Sequence, residues 1–425
     1  MKILYALHQY FPRHVGGTEV YTRGLVRRAS KAGHSIEIVS YHESSSAAKG
    51  EITIHASSHE GIPLREVHYN LSVNEAPARN EHWNPELGNT FGKLLDEIKP
   101  DLIHIMHAMK LSGTILEACH ARQLPFVLTL CDFWFICPNL TLLDWQGRLC
   151  SGPDRQGKCL PCVRKLHGPA AQNWDEMQAS IATNRRKELL QASALKAERI
   201  FALSEFQKKI FLENGYPKDR IDVLTHGLEL ADLESTDLDI SPAKTEKLRI
   251  GYVGHLVPQK GVHILLDAVN QLQSTPLECH IYGPLRNDAY VKRIAASAIQ
   301  HPGVRLFGEL STEKLGSVMD GFDVLVLPAL WYENQPLVVK AAIHKGIPVI
   351  ASKLGSLPEM LDGNENCWLL EPGNVQELAA LLKELAGNPP RKRAPKAMKD
   401  MDTHASELLR EYEQILKQRR EAHAI

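Results

Sequence analysis

"FDVLVLPALWYENQPLVVKAAIHKGIPVIAS", residues Phe322–Ser352, sets a strand, a polar loop, a helix and a second strand in one short stretch. The run Val324–Leu327 is apolar and β-branched, as a buried strand requires. Pro328 to Pro336 interrupts it, and an apolar helix begins at about Leu337. Gly346 follows that helix, and a second strand is expected near Pro348–Ala351. Strand, crossover helix and strand form the repeating unit of a parallel sheet.

The same alternation runs through the chain. Earlier strands are expected near Ile3–Leu7, Ile36–Tyr41, Leu102–Met106, Phe126–Leu130, Ile200–Leu203 and Asp222–Leu224. Later ones fall near Leu248–Val253, Glu278–Tyr282, Val304–Phe307 and Cys367–Leu370. The expectation is an α/β chain of two doubly wound Rossmann-like domains facing each other across a cleft. Residues 1–235 would form the first and 248–402 the second, with a polar, acidic linker at 236–247. Residues 403–425 read as a helix that packs back on the first domain.

Bulk properties exclude several classes. The 425 residues carry 49 Lys and Arg against 50 Asp and Glu, a net charge of -1. No basic field points to nucleic acid, and Arg185-Arg186-Lys187 reads as a solvated helix face. No apolar run is long enough to span a bilayer, which leaves peripheral membrane contact open. "MKILYALHQYF" is too short and too mixed for a secretory leader, so a cytoplasmic location is expected. Eight cysteines then suggest thiols or metal ligands in a reducing compartment.

Open α/β sheets bind ligands beyond the carboxyl ends of their strands. After the first strand, Gly16 and Gly17 precede a helix that starts near Thr18, a place for an anion or simply a tight turn. His104 falls inside a strand and reads as core, whereas His107 lies just past the strand end, where it can face a ligand. Cys131 and Asp132 end the next strand. Cys137, Cys150, Cys159 and Cys162 follow, the last two as C-x-x-C. Structural zinc, reduced thiols and disulfides all fit that pattern, each pinning a long excursion.

In the second half, Gly254 and His255 lead to Lys260 and a helix. A glycine turn with an ammonium beside a helix N-terminus suits a diphosphate. Glu333 precedes the helix whose first amides belong to Gln335–Leu337. A carboxylate does not share a site with phosphate oxygens. It can accept hydrogen bonds from the hydroxyl-rich part of the same ligand.

Taken in order, "GGTE", "TLCDFWFICP", "ALSEFQKKIFLENG", "VGHLVPQKG" and "YENQPLVVKAAIHKGIPVIASKLGSLPEML" resemble the GT-B-fold glycosyltransferases of family 4, which are retaining enzymes. The second of these is similar to a bacterial subgroup with a cysteine-containing insertion. The resemblance implies transfer of a sugar from a nucleotide-diphosphate donor to a glycan or lipid-linked acceptor, in polysaccharide or glycolipid synthesis. It implies no catalytic metal. Lys260 would neutralise the diphosphate and Glu333 would bind sugar hydroxyls. Asn334, Gln335, Pro336, Leu337 and Val338 would hold sugar and phosphate with Gly254 and His255. His107 would act at the reacting centre, and Gly16, Gly17, Cys131 and Asp132 would line the acceptor side.

Three positions depart from the family pattern. Its second glutamate is Ala341 here, its strand-end histidine is Cys131, and its glycine-turn arginine is His255. These losses support a rival reading, a non-catalytic nucleotide-sugar-binding or scaffold homologue. A nucleotide-sugar epimerase or hydrolase would need a further acid and base that the sequence does not offer.

Overall fold

The computed structural model describes residues 1–44, 51–70, 82–234, 247–392 and 398–423. The expected linker, 236–247, lies outside the described residues except for Lys247. Two compact units divide the chain, one of residues 1–226 and 402–425, the other of residues 227–401. Both are α/β with largely parallel sheets, which is the Rossmann-like pairing the alternation predicts.

The first unit holds eight strands: β1 (Lys2–Leu7), β2 (Ser35–Glu43), β3 (Thr53–His59), β4 (Ile62–Tyr69), β5 (Leu102–Ile105), β6 (Phe126–Leu130), β7 (Arg199–Ala202) and β8 (Ile221–Val223). Their order is β3-β4-β2-β1-β5-β6-β7-β8, parallel except for the β3–β4 hairpin. That hairpin is a correction to the sequence reading. β3 is almost wholly exposed and lacks the apolar alternation by which a strand is recognised. Glu60 and Gly61, both at positive φ, make its turn.

The helix Met401–His423 belongs to this unit from Asp402 onward. Tyr412 Oη lies 2.5 Å from His104 Nδ1, and Thr129 Oγ1 lies 2.8 Å from the other ring nitrogen. Tyr21 Oη pairs with His404 Nε2 at 2.6 Å. His104 is therefore a satisfied core histidine.

The second unit holds β9 (Leu248–Val253), β10 (Leu277–Tyr282), β11 (Val304–Gly308), β12 (Val324–Leu327), β13 (Val349–Ser352) and β14 (Cys367–Leu370). The order is β11-β10-β9-β12-β13-β14, parallel throughout. This unit begins at Gly227, earlier than the expected 248. Leu228 bridges Asp400, its N–H donates to Lys399, and both Leu228 and Leu233 enter this unit's core.

Each sheet has one point where the chain reverses its direction of growth. In the first it lies between β1 and β5, in the second between β9 and β12. Loops leaving the carboxyl ends of those strands flank a crevice that helices cannot cover. Among the described residues, no helix is long and apolar enough to cross a membrane.

Candidate functional site

The second unit brings its two switch-point loops into contact. Gly261, at φ +71, lies so close to the Pro328 carbonyl that a Cβ would sit 1.8 Å from its oxygen. Leu330 N–H donates to Gln259 O at 2.8 Å. This close approach carries Lys260 to the loop after β12. Lys260 Nζ donates to Glu333 Oε1 at 2.7 Å, and Trp331 Nε1 donates to the same oxygen at 2.7 Å. The ammonium also stands 4.9 Å from the Trp331 ring centroid.

Glu333 is only 4% exposed, so its charge depends on these donors. Its backbone is pinned as well. Ser356 N–H donates to Glu333 O at 2.8 Å, and Gly355, at φ +65, leaves no room for a Cβ beside residue 333. The helix Leu337–His344 starts with Pro336 as its N-cap residue and no side-chain cap, so its first N–H groups are not taken by a capping side chain. Gln335 is buried close by in sequence.

The glycine turn is braced from below. Tyr252 Oη donates to His255 O at 3.0 Å. Burial, and then the Glu333 charge, hold the Tyr252 phenol well above its usual range, so it stays a neutral donor. Gly254 is extended, and His255 is exposed at the tip. Ala341 is wholly buried in the core, and its neighbour Lys340 is 5% exposed. Burial, aided by Lys399, lowers the Lys340 ammonium to about 8. Trp331 and Tyr252 escaped the sequence reading. Trp331 stands two residues before Glu333, and that proximity was its one signal.

The first unit assembles a second cluster after β1, β5 and β6. His107 Nε2 pairs with Asp132 Oδ2 at 2.7 Å. Met109 N–H donates to His107 Nδ1 at 3.1 Å. An acceptor at Nδ1 puts the ring proton on Nε2, so both nitrogens are engaged. Asp132 Oδ1 accepts from Trp134 N–H at 2.8 Å. Gly16 caps the helix Gly17–Lys31, and Gly17 has open space around it. Cys131 hydrogen-bonds the Thr18 side chain, and burial pushes its thiol far up.

His8 and Glu19 join this cluster without having been foreseen. The His8 ring lies 4.4 Å from the His107 ring, and His8 Nε2 lies 3.6 Å from Glu19 Oε1. His8 Nδ1 and Glu19 Oε1 are buried without hydrogen-bond partners among the described residues. Burial lowers the His8 imidazole well below its usual range and raises the Glu19 carboxyl. His8 follows β1 and Glu19 stands in the first turn of the helix Gly17–Lys31, and each lacks a complete set of partners.

The four cysteines lie within electrostatic reach of one another, Cys150 and Cys159 acting on Cys137, and Cys150 on both Cys159 and Cys162. No group of three or more His, Cys, Asp or Glu among the described residues could hold a metal, and all eight cysteines are free thiols. Each thiol also has a local contact. Cys137 is held by the Asn139 backbone, Cys159 by the Thr183 side chain and Cys162 by the Trp145 backbone. Cys150 Sγ faces Gly152 O at 3.9 Å. Burial pushes the Cys137 thiol up to about 12 and raises Cys159 and Cys162.

Comparison with known proteins agrees with this fold. A model of glycosyl transferases group 1 matches residues 234–402, and one of Glycosyltransferase Family 4 matches residues 15–149. An uncharacterized 42.6 kDa protein in the cps region of Klebsiella pneumoniae is 22% identical over 393 residues, 90% of this chain and 92% of that protein. The amylovoran biosynthesis glycosyltransferase AmsK of Erwinia amylovora is 28% identical, over 47% of this chain and 52% of its own length. Sucrose-phosphate synthase from Thermosynechococcus elongatus superposes with a TM-score of 0.69 at 17% identity, covering 98% of this chain and 99% of that one. Anabaena HepE in complex with UDP gives 0.64 at 17% identity, covering 100% of both chains. Two Rossmann-like units, matched one by each family model, make this chain a GT-B glycosyltransferase of the family 4 kind.

Proposed function

We infer that the chain transfers a sugar from a nucleotide-diphosphate donor to a growing polysaccharide or a lipid-linked glycan, with retention at the anomeric carbon. The observation that carries the reading is the contact of Lys260 and Glu333 at the switch point of the second sheet. A fixed ammonium beside a helix N-terminus suits a diphosphate, and an adjacent buried carboxylate suits sugar hydroxyls. Structures of Anabaena HepE with UDP and with UDP-glucose support the donor class. Relatives named for amylovoran and, putatively, for teichuronic acid biosynthesis support the acceptor class.

In this mechanism the donor's diphosphate draws the Lys260 ammonium from Glu333. The carboxylate, still held by Trp331, then accepts from a sugar hydroxyl. Departure of the diphosphate breaks the bond to the anomeric carbon, and the acceptor oxygen attacks from the same face. Its proton passes to the leaving phosphate, which Lys260 stabilises. His107, with both nitrogens engaged, orients Asp132 and is not the base. The family resemblance implies no catalytic metal, and a nucleotide-sugar donor suits a reaction in the cytoplasm.

A nucleotide-sugar panel read by thermal shift, followed by product analysis, tests the reading. Stabilisation by one donor and an anomeric configuration equal to the donor's are expected. Stabilisation without product would favour the non-catalytic binding homologue, a reading that the buried Ala341 supports.

A further inference from the structure

We propose that the cysteine-bearing excursion of the first unit, residues 145–187, is a docking surface for an anionic lipid bilayer. Half of the large apolar side chains that stand exposed among the described residues lie here: Trp145, Leu149, Leu166, Met177 and Ile181. They range from 43% to 65% exposed.

Their placement follows from the local structure. In the helix Glu176–Ala194 the buried residues include Ala179, Thr183, Arg186 and Leu190, at spacings of one helical face. Met177 and Ile181 lie on the opposite face, one turn apart, at 65% and 60% exposure. A groove of about 710 Å³ runs beside them, lined by Arg155 and Arg185 and also by Glu176 and Glu188. The short helix Leu160–His167 buries Val163 and leaves Leu166 outward. Val163, Ala171 and Ala179 form a small core of their own, so the apolar tips stand on a firm base.

Charge identifies the occupant. Residues 145–187 contain eight lysines and arginines against three acids. Arg186 is buried, Arg148 pairs with Asp144 and Lys158 with Asp154, so Arg155, Arg164, Lys165, Arg185 and Lys187 carry the positive charge of this surface. Arg164 Nη2 donates to Trp174 O at 2.6 Å, and Lys165 Nζ donates to Trp145 O at 3.2 Å. Carbonyl partners orient these groups without neutralising them. Exposed apolar side chains interleaved with cations, with a tryptophan among them, match the headgroup region of an anionic leaflet. A second copy would bring the same positive excess against itself, which opposes a two-fold self-contact. The inference is independent of the donor. It draws on the proposed lipid-linked acceptor for its physiological sense alone.

Vesicle flotation of the full, untagged chain tests it. The vesicles are phosphatidylcholine alone, or phosphatidylcholine with about a third phosphatidylglycerol. The chain should float with the anionic vesicles, stay behind with neutral ones, and release in high salt. A double change of Arg164→Glu and Lys165→Glu should weaken binding at least about 10-fold. Met177→Ser with Ile181→Ser should do the same with the charge intact. Unchanged melting confirms folding of these surface variants. Failure of the native chain to float on anionic vesicles, or equal binding by both variants, overturns the proposal. So does a change of oligomeric state in the Met177/Ile181 variant, which would assign the face to a second copy. Donor stabilisation is read separately, so neither result decides the other.

Discussion

Lys260 Nζ lies 2.7 Å from Glu333 Oε1, although 73 residues separate the two along the chain. The acid is 5% exposed and the lysine 21% in their side chains, so the pair is poorly screened. In the ligand-free chain the group suited to phosphate thus occupies the group suited to sugar. On the proposed function, the two halves of a donor would be coupled through this one contact.

Glu333→Gln is expected to lower transfer at least about 100-fold, because the charged acceptor of sugar hydroxyls is lost. The same change frees Lys260. Nucleoside diphosphate lacking a sugar should bind about 5-fold tighter, as roughly 1 kcal/mol of competing ion pair disappears. Calorimetry on the matching diphosphate checks this, and weaker binding would remove the coupling.

Trp331→Phe keeps a ring beneath Lys260 and removes the indole N–H that holds Glu333. One hydrogen bond to a charged group is worth about 1.5–3 kcal/mol. A fall in kcat/KM of about 10-fold is expected, with Trp331→Leu worse because the cation–π contact goes too. Steady-state kinetics on both variants distinguish the two contributions.

Lys340 is a buried cation whose ammonium is lowered to about 8 from 10.5, chiefly by burial. Below about pH 8 both folded and unfolded chains hold the proton, and the folded chain carries the full penalty. Between about 8 and 10.5 the unfolded chain holds more protons, so stability rises with pH. Lys340→Met should therefore stabilise the second unit by on the order of 3 kcal/mol at neutral pH. The gain should shrink as the pH rises toward 10.5. Urea melts at neutral and alkaline pH measure it.

His104 is held down to about 3 from 6.5 by burial, with His404 adding to the shift. As pH falls below about 6.5 the unfolded chain takes up a proton that the folded chain refuses. Stability is thus lost as pH falls, by about 2 kcal/mol between pH 6.5 and 5. Tyr412→Phe leaves a ring nitrogen of His104 without its partner and should cost about 1–3 kcal/mol. Denaturation at the two pH values, for the native chain and the variant, provides the readout.

The excursion's cysteines should all react as thiols. Titration of the denatured chain under anaerobic conditions is expected to count eight, in keeping with eight free side chains. Elemental analysis of the native chain is expected to find no stoichiometric zinc. A bound metal would show that Cys137, Cys150, Cys159 and Cys162 give up their separate partners for it.

Much of the fold was readable because alternation of strands and helices is a local signal. All twelve expected strands have a counterpart, and the two that went unforeseen form the β3–β4 hairpin. Its strand β3 buries almost nothing, so the apolar period that betrays a strand is missing. The unit boundary at Gly227 was hidden for a different reason. It depends on Leu228 pairing with Asp400, a contact between distant segments.

By itself the sequence determined that the chain is α/β, that Lys260 and Glu333 follow strands, and that a helix begins just after Glu333. Those are consequences of side-chain period, glycine placement and chain length. Tertiary structure alone decided that the β9 and β12 loops are neighbours, that Trp331 shares Glu333 with Lys260, and that His8 and Glu19 gather beside His107. Strand order sets those neighbours, and strand order is chosen by packing of the whole sheet, which no local pattern encodes.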